Sequence, residues 1–186
     1  RVSDEGGIGK PYAFHVDFYF AKDAGPRIGE GSPEPPPPSW EPFGELSIEG
    51  IYPLAYISYL VGSPVTTVFA CTSSHFFQRY RDNGIEDLAS LSLQLADGTL
   101  ASICLGRIGQ ASHPDLGELT LRIVGSEGNV VIAEPRPEVA VYHRDAAPSA
   151  FQHRRVDAEP SRYLLDDFAD AIDRGRRTTC DEGDGW

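Results

Sequence analysis

Alternation of apolar and polar residues is the first signal along the chain. Tyr12, Phe14, Val16, Phe18 and Phe20 fall on one face, and Ala13, His15, Asp17 and Tyr19 on the other. A period of two predicts a half-buried strand. The same period recurs in Ala89, Leu91, Leu93 and Leu95, set against Ser90, Ser92 and Gln94. Asp97-Gly98 then predicts a two-residue type I′ turn into Ala101, Ile103 and Leu105, which alternate with Leu100, Ser102 and Cys104. A second hairpin is expected over Glu118–Ala133. There Leu119, Leu121 and Ile123 face inward, and Gly125-Ser126-Glu127-Gly128 makes the turn. Val139–Tyr142 reads as a further short strand, and Asp145–Pro160 as polar and irregular.

Two runs carry helical spacing. Glu45–Leu60 reads as a helix with a break or a fresh N-terminus at Pro53, because a proline disfavours the helical conformation of the residue before it and suits the first turn of a helix. Gly62-Ser63-Pro64 stops that helix. Ser161–Arg174 is amphipathic, with Leu164, Leu165, Phe168, Ala171 and Ile172 in one stripe. Ser161 is expected to cap its start, and Gly175 suits its end. Val65–Thr72 is apolar on both faces, which predicts a central strand. Strands dominate and the helices are few, so the expected class is α+β. The architecture is a mostly antiparallel open sheet with helices packed on one face. A single domain is expected over residues 1–186, with a proline-rich loop inside it at residues 24–43. That loop reads as a stiff connector, a docking segment for a partner, or a loop overhanging a site with Trp40 as its apolar anchor.

Composition narrows the function. The net charge is −12, which argues against a nucleic-acid track or an anionic membrane surface as partner. No apolar run approaches the length of a membrane span, so no membrane partner is expected. Cys71, Cys104 and Cys180 are odd in number and form no C-x-x-C, which fits idle thiols in a reducing cytoplasm. The chain starts at Arg1 and has no methionine, which leads us to expect a fragment of something longer.

Candidate chemistry is sparse. No metal-ligand spacing occurs among the five histidines, and no metal site is expected. Gly7-Ile8-Gly9-Lys10 precedes a strand and lacks phosphate-loop spacing, so no cofactor-binding residue is assigned. His15 could reach a groove beside Asp17 and Tyr19, or simply be hydrogen-bonded. Arg107 ends a strand where its planar fork could reach across the open sheet face to a hydroxylated or carboxylated ligand; the alternative is a surface ion pair. Tyr52 sits beside a helix break and a glycine, either in the core or exposed to a cleft. A phenol in a cleft can shuttle a proton to or from a sugar hydroxyl when a nearby cation favours the phenolate.

The stretch Gly44-Glu45-Leu46-Ser47-Ile48-Glu49-Gly50-Ile51-Tyr52-Pro53-Leu54 resembles the G-G-x-x-x-D-x-G-x-H/Y-P-L segment of the Gfo/Idh/MocA oxidoreductases, the glucose–fructose oxidoreductase and inositol dehydrogenase family. Tyr59-Leu60-Val61-Gly62-Ser63-Pro64-Val65 is similar to its usual continuation. Ile8-Gly9-Lys10-Pro11 resembles the start of the family's second domain. Asp87-Leu88-Ala89, Asp97-Gly98 and Arg122–Gly128 resemble its later strands and turns, and Asp167–Ile172 its late helix.

The resemblance implies a C-terminal domain that shapes a substrate site and forms homo-oligomers through an open sheet. It implies a parent enzyme using NAD or NADP on a sugar or polyol, with the cofactor on an N-terminal Rossmann domain outside this chain. This chain alone would then bind no cofactor and show no turnover. Tyr52 matches the proton-handling position, assisted by a lysine of the other domain. His15, Arg107 and Trp40 are the expected substrate-binding residues. One departure matters: Ile48 stands where the motif has its aspartate, and Glu49 is one residue off. A non-catalytic binding or assembly module with a degenerate site is therefore the competing expectation.

Overall fold

The alternating runs become strands of one sheet. The computed structural model describes residues 7–22, 24–30, 43–109, 117–134, 138–143, 149–152 and 160–178. The elements run β1 (Pro11–Phe20), α1 (Glu45–Glu49), α2 (Ile51–Val61), β2 (Val65–Ser73), α3 (Gln78–Asp82), β3 (Leu88–Leu95), β4 (Leu100–Arg107), β5 (Gly117–Gly125), β6 (Gly128–Glu134), β7 (Glu138–His143), β8 (Ser149–Gln152) and α4 (Pro160–Arg174). Eight strands lie in the order β2-β3-β4-β1-β5-β6-β7-β8. Only the β1–β4 pair is parallel, so the sheet is mostly antiparallel and the class is α+β, as expected.

One sheet face carries the core. Phe14 and Val16 of β1, Leu91, Leu93 and Leu95 of β3, Ile103 and Leu105 of β4, and Leu121 and Ile123 of β5 are buried together. α1 packs on β3 and β4, and α2 on β1. Ile57 is the buried anchor of α2, with Leu54, Leu60 and Val61 partly buried beside it. The other face carries Ser90, Ser92, Gln94, His15 and Arg122, all exposed.

Several expectations need correction. A fresh helix does start near Pro53, but the break lies at Gly50 and Pro53 falls in the first turn of α2. Proline is harmless at the third position of α2, where its missing N–H is one of the helix's unpaired starting donors. At Gly50 a Cβ would run into the Leu46 carbonyl, which makes glycine necessary there. The β3–β4 turn is not type I′, which requires left-handed φ at both central residues. Among the described residues only glycines have positive φ. The loop closes with Gly98 N–H donating to Leu95 O, Leu95 N–H donating to Thr99 O, and Gly98 alone left-handed at φ 89°.

β2 is an edge strand rather than a central one. Among the described residues it pairs with β3 alone, and Val68 and Phe69 remain 58% and 67% exposed. Its apolar residues on both faces are uncovered by any described residue. Residues 145–160, read as irregular, contain β8. α4 begins at Pro160, so Ser161 lies within the helix, and Leu165, Phe168 and Ile172 of its apolar stripe are exposed.

Candidate functional site

The motif stretch folds into a corner over the ends of β1 and β4. α1 has only five residues, too few to hold a helix by its own hydrogen bonds. Tertiary contacts hold it instead. Glu86 caps it, its Oε1 accepting from Leu46 N–H at 2.9 Å. Glu45 and Glu49 are one helical turn apart, so both point to the same side, toward the sheet. There Arg107 meets them. Its Nε lies 2.7 Å from Glu45 Oε1, and its terminal nitrogen lies 3.2 Å from Glu49 Oε1. Tyr80 of α3 also donates its hydroxyl to Glu45. Glu45 is fully buried at 0% exposure.

The electrostatics follow from burial. Burial first, and then the Glu45 charge, raise the Glu49 pKa above its ordinary value; Arg107 and Lys22 offset only part. Burial, then the hydrogen bond and charge of Glu45, push the Tyr80 phenol well up. Burial opposes the Arg107 charge, but the hydrogen bond and charge of Glu45 outweigh it and raise its pKa.

Tyr52 is the second residue of α2 and is 52% exposed. Its ring stands edge-on to Phe18, with centroids 6.0 Å apart. Phe18 meets Phe20 at 4.8 Å, and the Arg107 guanidinium lies 5.2 Å over the Phe20 ring. A row of side chains thus links the buried ionic cluster to an exposed phenol. The phenol can exchange a proton with a hydroxyl placed against this corner.

Two expected site residues are placed differently from the sequence reading. Arg107 does not reach across the open face. It lies on the helix side, in register with the buried Leu105 and Ile103, and its fork is engaged by two carboxylates. His15 is on the opposite face from Tyr52, because odd and even residues of β1 part to the two sides. Its Nδ1 lies 2.6 Å from Ser102 Oγ, and its Nε2 lies 3.3 Å from Asp17. His15 and Tyr52 therefore lie on opposite sides of the sheet. Trp40 lies outside the described residues.

Ile48, at the motif's aspartate position, is exposed and offers no polar group. Sequence reasoning missed Glu45, Glu49 and Tyr80 as one cluster with Arg107. The four-residue spacing of the two glutamates was the available signal. Among the described residues no group of three or more His, Cys, Asp or Glu is placed to hold a metal ion. The described residues do not fit a dinucleotide either. No glycine-rich turn runs from a strand into a helix here, and the starting amide of α1 already faces the Glu86 carboxylate, which repels a pyrophosphate. Among the described residues no helix is long and apolar enough to cross a membrane.

Residues 1–131 match the profile of the GFO/IDH/MocA C-terminal domain. UDP-N-acetylglucosamine 3-dehydrogenase from Acidithiobacillus ferrooxidans is similar over 98% of this chain and 51% of its own, at 18% identity and a TM-score of 0.67. Levoglucosan dehydrogenase in complex with NADH is similar over 99% of this chain and 55% of its own, at 19% identity and a TM-score of 0.78. The same enzyme with NADH and levoglucosan is similar over 94% of this chain and 52% of its own, at 20% identity and a TM-score of 0.71. At these identities the likeness carries the fold. The chain spans about half the length of these solved structures. No curated protein matches the chain.

Proposed function

The chain belongs to the GFO/IDH/MocA C-terminal domain family, and from that premise we propose that it is the substrate-side, oligomer-forming half of an NAD- or NADP-dependent oxidoreductase of sugars or polyols. Solved structures of the same fold include sugar dehydrogenases, one of them in complex with NADH and levoglucosan. The observation that carries the reading is Tyr52, an exposed phenol at the start of α2, held at its ring edge by Phe18.

In this reading the cofactor would be held by a Rossmann domain outside this chain and, when bound, would supply the acceptor or donor of the hydride. Tyr52 takes the proton from the substrate hydroxyl as it becomes a carbonyl, or returns it in the reverse direction. A cation from the other domain would favour the phenolate. The polar open face, with His15, Ser92, Thr120 and Arg122, is the surface through which copies associate. His15 then serves that interface rather than the sugar. Arg107 serves the substrate corner through α1, and Trp40 is kept as an apolar contact for the sugar. We place the protein in the cytoplasm, where the Cys71 and Cys104 thiols stay reduced.

The test is Tyr52→Phe in the intact protein, assayed with NAD or NADP against a panel of sugars and polyols. General acid–base catalysis contributes about 10²–10⁴-fold, so kcat should fall by that order with KM changed little. Unchanged kcat overturns the assignment. The competing reading, a non-catalytic module, draws support from Ile48, which puts an exposed hydrocarbon where the motif has a carboxylate. It predicts no turnover on any of these substrates even with Tyr52 intact.

A further inference from the structure

We propose that Arg107 is a positioning residue for Tyr52: its fork on Glu45 and Glu49 fixes α1, and with it the Gly50 break that sets where the phenol stands. This rests on the reading of Tyr52 as the proton-handling group. The sheet supplies the rigid base, because Arg107 ends β4 beside β1 in the middle of eight strands. Two routes run from it to Tyr52. The first is the backbone: Arg107 grips Glu45 at 2.7 Å and Glu49 at 3.2 Å, and the chain leaves Glu49 through Gly50 and Ile51 into Tyr52. The second is the aromatic row: guanidinium over Phe20 at 5.2 Å, Phe20 to Phe18 at 4.8 Å, Phe18 to Tyr52 at 6.0 Å.

A short helix has no stiffness of its own, so its tilt follows whatever holds its two ends. Here the first and last residues of α1 are the two carboxylates on one arginine. A lysine would keep the charge and lose the fork, and a point charge cannot hold two carboxylates in fixed directions. Misplacing a reacting group by about 1 Å costs up to about 10²-fold in rate.

The test uses the intact protein with Arg107→Lys, Tyr52→Phe and the double variant, together with a fluorotyrosine label at position 52. Arg107→Lys should lower kcat about tenfold or more with KM nearly unchanged. In the Tyr52→Phe background it should lower kcat no further. The fluorine resonance of residue 52 should move in the Arg107→Lys protein at a temperature where circular dichroism shows it folded. Equal losses in both backgrounds overturn the inference, and so does an unmoved resonance. If Tyr52→Phe leaves kcat unchanged while the resonance still moves, the positioning stands and the proton role of Tyr52 fails. Should Arg107→Lys not fold, Glu49→Ala removes one prong only, and the same two readouts decide.

Discussion

The two faces of β1 solve the problem of polar residues in opposite ways. On the helix side, Phe14 and Val16 are buried, and so are the carboxylates of Glu45 and Glu49, which close on the largely covered Arg107, with Tyr80 bonded to Glu45. On the open side, His15 and Asp17 lie 3.3 Å apart with side chains 51% and 36% exposed. Water can reach each of the outer pair separately, so their contact adds little to stability. The inner charges have lost water and depend on one another. Pairing does not fully repay that loss, since Glu49 still has its pKa raised beside an arginine. The two sides of the sheet thus carry a polar contact that the fold can spare and, between α1, α3 and the end of β4, a polar cluster that it cannot.

The sharpest way to break this contrast is Arg107→Met. It leaves two carboxylates facing a buried, uncharged side chain. Removing one partner of a buried ion pair costs about 3–5 kcal/mol, and urea unfolding should show a loss of that order. A loss below about 1 kcal/mol would mean that water reaches the cluster and that both faces of β1 are alike.

Glu49→Gln comes next and acts through pH. The folded-state pKa of Glu49 lies above its unfolded value, so the folded protein holds the proton more tightly. The stabilisation this gives is complete below the ordinary glutamate value of about 4.3 and is lost as pH rises through the raised folded value. A glutamine is neutral throughout and keeps the shape. The variant should therefore match wild type at about pH 3.5 and equal or exceed it in unfolding free energy at pH 7. A variant clearly less stable at pH 7 would show that the Arg107–Glu49 attraction outweighs burial.

Periodicity made most of the sheet legible, because strands half-buried on one face must alternate. β3, β4 and β5 show their inner and outer residues on the expected sides, and β1 does so for Phe14, His15 and Val16, while Tyr12, expected on the inner face, is 53% exposed. It misled where the cover is not local. Val65–Ser73 is apolar on both faces, yet an edge strand with exposed Phe69 results, since burial depends on what lies beside a strand and not on its composition. At the candidate site, the motif singled out Tyr52, which stands exposed at the start of α2. The sequence leaves Arg107 between a ligand on the open face and a surface ion pair; it forms an ion pair, but on the helix side and with two buried carboxylates. Whether a residue at the end of a strand points to helix or solvent depends on strict alternation from Ile103 and Leu105, a pattern already present in the sequence. The pairing of Arg107 with Glu45 was not legible, for it joins residues 62 positions apart.

The smallest expected effect on the fold lies on the open face and bears on association. Ser92 of β3 stands opposite Ser102 of β4 and is exposed, so replacing it disturbs no core contact. Ser92→Arg should change unfolding stability by no more than about 0.5 kcal/mol. If copies of the protein stack through this face, the change adds a guanidinium to a surface that already carries Arg122. Stacking would then press like charges together with little water between them, at a cost of several kcal/mol. Sedimentation of the intact protein at micromolar concentration should accordingly shift toward smaller species, with the fold intact by circular dichroism. A mass unchanged from wild type would show that the open face is not where copies meet, and the exposed β2 edge would become the better candidate for that contact.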